Sequence, residues 1–399
     1  MAQSDYTEKS KYDISGILPQ SDIVEAGYLN RMLDNFSSSY KIYWFKGIFT
    51  EVMNGKSEIP YKRIVACMIA AAWYPVVYYK LSLGFSDKLA DVILYLHNDL
   101  SVAREEKEEQ IIEFVCESQD QKLIKMIGNL TKMVPYRLIR PFYQREIDYE
   151  KKTRADFMDH QINALIESCN QTDSEPAFYR LDDQNGYLTV SRDWIYYLKR
   201  NESIIEGWVN YKLIDYLQRR NPNVPAIAYK IFSPLERDRS LVAETRYWKD
   251  IQKEIPLADI YTEEEFTDQN IVKYGGMSLD HFIPWSFVLH NEIWNLYPMY
   301  KNINSSKNNK LPDKDKYLTL FCEKQYQAFL VAKKWNKEKK ITEQYLHVKQ
   351  DVFEIDKDDR GHDAFILGMK QTIEPLYQIA NNQGYLIWRY EKAAVEVGL

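Results

Sequence analysis

The chain has 399 residues, of which 45% are hydrophobic and 28% are charged, and its formal net charge is −6. This length is sufficient for two or three domains with large cores. The acidic balance argues against a protein that coats nucleic acid over its whole surface, so any contact with nucleic acid would depend on local basic patches.

The cysteine content argues against a structural zinc site. Cys67, Cys116, Cys169 and Cys322 lie far apart, and none forms the paired CxxC spacing of a zinc ribbon. We therefore expect buried thiols in a reducing compartment and no structural zinc.

No segment has the pattern of a membrane span or a secretion signal. The longest apolar run, residues 64–79, is shorter than the roughly 20 residues that a span needs, and Pro75 interrupts it. The first residues are polar and do not lead into an apolar segment. We expect a cytoplasmic protein without membrane contact.

The first two thirds of the chain show mostly helical periodicity. Ser21 and Asp22 could cap a first helix, "SYKIYWFKGIFTEVM" predicts a second one that ends at Asn54-Gly55, and "IPYKRIVACMIAAAW" predicts a third. Residues 134–143 break the pattern with two prolines. Alternation around Asn185-Gly186 then predicts a short β-hairpin.

Between residues 276 and 312 the pattern becomes compact and mixed. "MSLDHFIPWSF" predicts a strand stopped by a proline, a loop with "VLHNEIWNLYP" follows, and "MYKNINSSKNNKLP" can form a short helix with Asn and Lys on one side. Strand, return strand and helix would bring the ends of this segment together. After Pro312 the helical periodicity returns.

This segment resembles the HNH nucleases of the ββα-metal (His-Me finger) superfamily, and especially the HNH domain of RNA-guided CRISPR nucleases. The resemblance rests on Asp280-His281 followed by "IP", on Asn295 14 residues after the histidine, and on Asn304 23 residues after it. Lys307 and a closing proline complete the series. Several residue types agree in order and spacing, which makes the match specific.

The predicted fold class is mostly α with an α+β part. We expect a helical region over residues 1–265 for regulation or for binding a substrate or partner, with a further boundary near 134–175. The HNH ββα-metal domain would cover residues 266–316, and a helical C-terminal region residues 317–399.

The resemblance implies a role for each residue of the motif. His281 would be the general base, because a neutral imidazole can accept a proton from water near neutral pH. Asp280 and Asn304 would ligate one divalent metal, and their oxygen atoms suit Mg²⁺ or Mn²⁺. Asn295 would clamp the loop by hydrogen bonds, and the Lys307 ammonium would contact a phosphate oxygen.

Each assignment has a structural alternative. His281 could be an ordinary strand histidine, Asp280 and Asn304 could cap loops, and Lys307 could belong to a solvated surface. His290, which lies outside the motif, is expected to be a surface loop residue.

A basic segment at residues 125–154 is a second candidate for nucleic-acid binding. It holds eight basic residues against three acidic ones, with four interleaved aromatic residues. Such a mixture can contact a phosphate backbone and stack on bases, although solvated helix faces are the commoner explanation. The candidate contact residues are Arg137, Arg140, Arg145, Lys151 and Lys152.

These features predict a metal-dependent HNH endonuclease that cuts DNA. An HNH domain next to a large helical region resembles effector nucleases of bacterial anti-phage systems, which implies a defence role and a partner protein or a second copy of the chain. Two alternatives stay open. One is a catalytically silent module that binds nucleic acid or protein and retains the HNH scaffold, and the other is an RNA-cleaving nuclease.

Overall fold

The computed structural model describes residues 18–34, 38–154, 156–172, 177–236, 240–335, 337–355 and 357–391. Helices dominate these residues and small sheets complete them, so the fold is mostly α with an α+β part, as predicted. None of the helices described is both long and apolar enough to span a membrane. The polar start of the chain, residues 1–17, lies outside the described residues.

The chain divides into two compact units. The first consists of Met1–Pro222 and Ile227–Leu235, and the second of Asn223–Ala226 and Glu236–Leu399. The expected boundary near 134–175 therefore falls inside the first unit, and those at 265 and 316 fall inside the second.

The first unit is a helical assembly with one small sheet. Its helices are α1 (Gly27–Met32), α2 (Tyr40–Met53), α3 (Tyr61–Trp73), α4 (Lys88–Asn98), α5 (Glu108–Glu117), α6 (Gln121–Leu130), α7 (Val134–Ile139), α8 (Gln144–Thr153), α9 (Asp159–Thr172), α10 (Arg192–Arg200) and α11 (Glu202–Arg220). Its strands are β1 (Glu58–Pro60), β2 (Tyr179–Asp182) and β3 (Tyr187–Val190).

Helices α2 and α3 form the core of this unit. Trp44 and Trp73 are completely buried. A Cβ atom at Gly47 would lie only 2.8 Å from the backbone oxygen of Ile64, so glycine permits the close approach of the two helices. The predicted second and third helices are thus confirmed, whereas the first begins at Gly27, later than the Ser21 cap suggested.

The predicted hairpin is also confirmed. Strands β2 and β3 pair antiparallel with Asp182 opposite Tyr187, and Gly186 in the turn has a φ of 73°. Strand β1, which the sequence did not predict, pairs with the other edge of β3 through Ile59 and Leu188. This pairing joins segments more than 100 residues apart, so no local pattern reveals it.

The second unit surrounds a short antiparallel pair with helices. Its helices are α12 (Val242–Glu254), α13 (Asp268–Tyr274), α14 (Trp285–Val288), α15 (Lys301–Lys307), α16 (Lys314–Ala332), α17 (Lys339–Thr342) and α18 (Asp359–Asn382). Its strands are β4 (Met277–His281), β5 (Leu296–Tyr300), β6 (Leu311–Pro312) and β7 (Ile387–Trp388). Strands β4 and β5 are antiparallel, and β6 and β7 are parallel.

Two of the cysteines fit the expectation of buried thiols. Cys67 and Cys322 are buried, whereas Cys116 and Cys169 are only half-buried. Burial raises the pKa of Cys322 to about 12.

The side chain of Asn170 joins α9 to β2 and provides a stability test. Its amide nitrogen donates to Tyr179 O and to the Tyr143 hydroxyl, and its amide oxygen accepts from Leu181 N. Asn170→Ala should lower the free energy of unfolding by at least about 2 kcal/mol, because each orphaned buried polar group costs about 1–3 kcal/mol. Urea unfolding followed by circular dichroism measures this, with the exposed neighbour Gln171→Ala as a control expected to be near neutral. Equal stability of the two variants would contradict the assigned role.

Candidate active site

A strand, a return strand and a helix follow one another in the second unit. Strand β4 pairs with β5 so that Asp280 lies opposite Tyr297 and His281 opposite Leu296, and α15 begins directly after β5. Successive strand side chains point to opposite faces of the sheet. Accordingly Asp280 is buried, whereas His281, the next residue, is half-buried.

Asn295 holds the connection between the strands in place. Its amide oxygen accepts from Ile283 N at 2.8 Å, its amide nitrogen donates to Ile283 O at 2.9 Å, and its backbone oxygen accepts from Phe282 N at 2.8 Å. The residue is fully buried, so these bonds satisfy polar groups that water cannot reach. Asn295 thus fixes the backbone immediately after His281.

Asp280 forms a buried ion pair with Lys307. The Lys307 ammonium lies 3.1 Å from Asp280 Oδ1 and 3.0 Å from Oδ2, and it also donates to the backbone oxygen of His281 at 2.9 Å. Lys307 has no exposed area. The phosphate contact expected for Lys307 stays a prediction, and it would require this pair to open.

The environment of Asp280 opposes its charge in part. Burial raises the pKa of the carboxyl group, while the Lys307 ammonium and a hydrogen bond from the Tyr261 hydroxyl lower it. The carboxylate is thus stabilised by one donor on a helix, Lys307, and by one donor in a loop, Tyr261. A further cation at Asp280 would have to share the carboxylate with Lys307.

Asn304, the other expected metal ligand, sits on α15 one turn before Lys307. Its amide nitrogen donates to Leu279 O at 3.0 Å and to Ser278 Oγ at 3.2 Å. These bonds turn the amide nitrogen toward β4. The amide oxygen accepts no hydrogen bond from the described residues, so its lone pairs are available to ligate a cation. The oxygen atoms of Asp280 and Asn304 fit a hard divalent cation chemically. In the described part of the chain, no group of three or more His, Cys, Asp or Glu residues could hold a metal.

His281 is oriented by a residue that the sequence did not single out. Its Nε2 lies 3.0 Å from Asn291 Oδ1, and the Asn291 amide nitrogen donates to Ser240 O at 3.4 Å. The second bond favours Oδ1 as the atom that faces the ring, and in that arrangement Nε2–H donates to Oδ1 and Nδ1 would be the basic nitrogen. Nothing in the spacing of the motif distinguishes Asn291 from the other asparagines nearby.

Burial keeps the His281 imidazole neutral. It lowers the pKa of His281 to about 3, against hydrogen bonds to Asn291 and to the His290 backbone that raise it. A neutral ring is the form that accepts a proton. A phosphodiester anion beside the ring would raise this pKa, because a negative charge stabilises the imidazolium form.

Asp259 is a second residue that the sequence did not single out. It is completely buried, accepts from the backbone nitrogens of Tyr261 and Thr262, and accepts from Tyr300 N at 2.8 Å. It thereby ties the loop that carries Tyr261 to the end of β5. The acidic residues just after it precede α13, which Thr267 caps at Asn270 N.

The helix after the motif supports the loop that contains Asn295. The Gln325 side chain on α16 donates to Leu296 O at 2.8 Å and to Ile293 O at 3.3 Å, and its oxygen accepts from the Tyr345 hydroxyl at 2.5 Å. Phe282 packs on Phe321 of the same helix with ring centroids 4.5 Å apart. The C-terminal helical region therefore belongs to the structural support of the site.

His290 and Asn309 of this segment make structural contacts, and Asn308 ends a helix. His290, expected at the surface, is half-buried and packs against Trp294 with ring centroids 5.4 Å apart. Asn308 ends α15 with a φ of 49° and a ψ of −133°, outside the left-handed helical region that asparagine favours. Asn309 accepts from Ser286 Oγ at 2.5 Å.

The basic segment lies in the first unit. Arg137 pairs with Asp159 at 2.7 Å, and Arg140 begins the 3₁₀ turn that follows α7. Arg145, Lys151 and Lys152 are exposed on α8. Their role in nucleic-acid binding stays a prediction.

Comparison with known proteins identifies the ββα segment. Residues 259–313 match the sequence model of the HNH endonuclease family. The match begins at the buried Asp259, earlier than residue 266, where the domain was expected to begin. This match supports an HNH domain at these residues. No curated protein and no solved structure matches the chain.

The buried ion pair provides a second stability test. Lys307→Met should lower the free energy of unfolding by about 3–5 kcal/mol, because removing one partner leaves the other charge buried and unpaired. Lys301→Met, at the exposed start of the same helix, is the matched control and should change little. The double variant Asp280→Asn/Lys307→Met should recover part of the loss. Chemical unfolding measures all three, and a Lys307→Met variant as stable as the Lys301→Met control would show that the pair does not stabilise the domain.

Proposed function

We propose that this protein is a metal-dependent endonuclease that hydrolyses DNA phosphodiester bonds at the ββα segment. The observation that carries the proposal is the arrangement of His281, Asp280 and Asn304 on two adjoining elements, within the residues that match the HNH endonuclease family. These residues supply a base and two oxygen ligands in one small structure.

In this proposal His281 removes the proton from the attacking water. Asn291 holds Nε2 and leaves Nδ1 to accept the proton, while the water oxygen attacks phosphorus and the opposite P–O bond breaks. Asn295 keeps the backbone after His281 in place, so the ring needs little reorganisation during the reaction. Asn295 therefore positions the base and does not contact the substrate.

Asp280 and Asn304 would hold the divalent cation, Mg²⁺ or Mn²⁺. When bound, such an ion stabilises the negative charge that develops on the leaving oxygen. The hydrogen bonds of the Asn304 amide nitrogen hold the amide oxygen in one orientation, which prepares that oxygen as a ligand. Lys307 would reach a phosphate oxygen only after releasing Asp280.

The biological setting is part of the same proposal. A nuclease domain joined to a large helical unit fits an anti-phage effector that acts in the cytoplasm, where the helical unit selects a substrate, a partner protein or a second copy of the chain. The exposed cations of α8, Arg145, Lys151 and Lys152, would add nucleic-acid contacts. The support for this setting is analogy of domain composition.

One observation favours a second candidate, a catalytically silent binding module. Both Asp280 oxygens already lie within 3.1 Å of the Lys307 ammonium, which competes with a metal for the carboxylate. Binding of Mn²⁺ measured by electron paramagnetic resonance separates the two candidates. The nuclease requires binding that Asp280→Asn weakens, whereas the silent module predicts no specific binding.

The nuclease assay tests the base directly. With supercoiled plasmid and Mg²⁺ or Mn²⁺, the wild type should nick DNA, EDTA should abolish nicking, and His281→Ala should reduce the rate at least about 100-fold, the usual contribution of a general base. His362→Ala, a histidine exchange on α18 beside Glu323, is the matched control and should keep the wild-type rate.

Two results would contradict this assignment. Equal nicking by the wild type and His281→Ala would show that the activity belongs to a contaminant. Cleavage of single-stranded or duplex RNA in preference to DNA, still dependent on His281, would make the protein an RNA-cleaving member of the family.

The orienting contact of His281 gives a separate prediction. Asn291→Ala should reduce kcat about 10-fold to 100-fold with little change in KM, because it removes the acceptor that fixes the basic nitrogen but not the base itself. Asn291→Asp, which keeps an oxygen acceptor, should retain more activity. If Asn291→Ala and Asn291→Asp lose activity equally, the residue does not act through the hydrogen bond to His281.

A further inference from the structure

A cavity of about 370 Å³ in the first unit is lined mainly by cationic and apolar side chains. Its lining includes four basic residues, Lys41, Lys88, Arg137 and Arg140, against the single acid Asp159. They come from separate elements, since Lys41 is in the first turn of α2, Lys88 begins α4, and Arg137 and Arg140 are on α7 and the turn after it. The fold therefore gathers these charges around one concave space.

Two of the four cations have acidic partners. Arg137 pairs with Asp159 at 2.7 Å, and Lys88 pairs with Asp91 at 2.9 Å. Lys41 and Arg140 form no hydrogen bond or ion pair with the described residues, although both are half-buried. Burial and the nearby guanidinium groups of Arg140 and Arg137 lower the pKa of Lys41. Lys41 and Arg140 thus lack an acidic partner among the described residues, and an anion bound between them would offset their repulsion.

The other walls of the cavity indicate more than a simple ion. Leu130, Met133 and Val134 provide an apolar surface, and Tyr40 provides an aromatic ring. The volume falls within the range of about 300–1,000 Å³ that is typical of sites for small organic ligands. A guanidinium group binds phosphate oxygens in a fork geometry, and a lysine adds a point charge.

We propose that this cavity binds an organic phosphate, such as a nucleoside phosphate, with Lys41 and Arg140 on the phosphate and the apolar wall on the organic part. The proposal concerns a ligand site separate from the nuclease residues and does not depend on their activity. The concave shape favours a compact ligand over a nucleic-acid backbone, which would use the exposed cations of α8 as well.

Calorimetric titration of the full chain with AMP, ATP and inorganic phosphate, in EDTA, tests the proposal. We expect the two nucleotides to bind more tightly than inorganic phosphate, and Arg140→Met and Lys41→Met each to weaken nucleotide binding about tenfold or more, the usual effect of losing a charged hydrogen bond. Arg145→Met removes an exposed arginine of the same basic segment outside the cavity and should change affinity less than twofold. His281→Ala should bind as the wild type does, so this proposal and the nuclease proposal can fail separately.

The same variants control for folding. Removing Lys41 or Arg140 relieves repulsion between like charges, so the unliganded variants should melt at or above the wild-type temperature. If either variant melts at a lower temperature, Arg140→Lys provides a milder test. It keeps the positive charge and should still bind the nucleotides, but more weakly than the wild type does.

Two outcomes would overturn the proposal. One is the absence of saturable binding of any of the three probes to the wild type. The other is an equal loss for Arg145→Met and Arg140→Met in titrations with duplex DNA, together with no nucleotide binding, which would assign the cations to a nucleic-acid backbone.

Discussion

The buried ion pair between Asp280 and Lys307 is the interaction on which the HNH domain depends. It joins the end of β4 to the end of α15, and the third bond of the ammonium, to the backbone oxygen of His281, fixes the residue that follows the aspartate. Two charged groups that are buried away from water are tolerated only when they form hydrogen bonds with each other or with the protein. This pair therefore constrains the helix to one position against the strand. The orientation of Asn304, one turn earlier on the same helix, follows from that constraint.

The same pair creates a conflict within the site. A carboxylate that is held by an ammonium group is electrostatically satisfied and gains less from a metal ion than an unpaired one would. If a metal binds here, as proposed, the stability of the metal-free domain and its affinity for the metal would oppose each other. Lys307 would then affect both folding and the proposed metal binding, a link that residue type and spacing do not reveal.

Local sequence patterns predicted the elements whose causes are local. Apolar periodicity gave the helices α2 and α3, a turn at Gly186 gave the hairpin, and the order of Asp280, His281, Asn295 and Asn304 indicated the ββα segment. The residues that complete the site were not predictable in this way. Asp259, Asn291 and Gln325 act through contacts with backbone or side chains distant in sequence, and such contacts leave no periodic signal. The spacing of the motif identified both Lys307 and Asp280, but it did not predict that they form an ion pair. Spacing does not distinguish a solvated lysine from a buried one.

The short parallel pair β6–β7 limits how the nuclease domain can be assembled. Leu311 N donates to Leu386 O and Asp313 N to Trp388 O, so the last residues of the family match are paired with a segment about 75 residues further along the chain. During synthesis the edge at Leu311 stays open until residue 388 has left the ribosome. The folded domain therefore includes residues near 387 that lie outside the family match. A fragment cut at residue 313 would expose backbone groups that the intact chain covers.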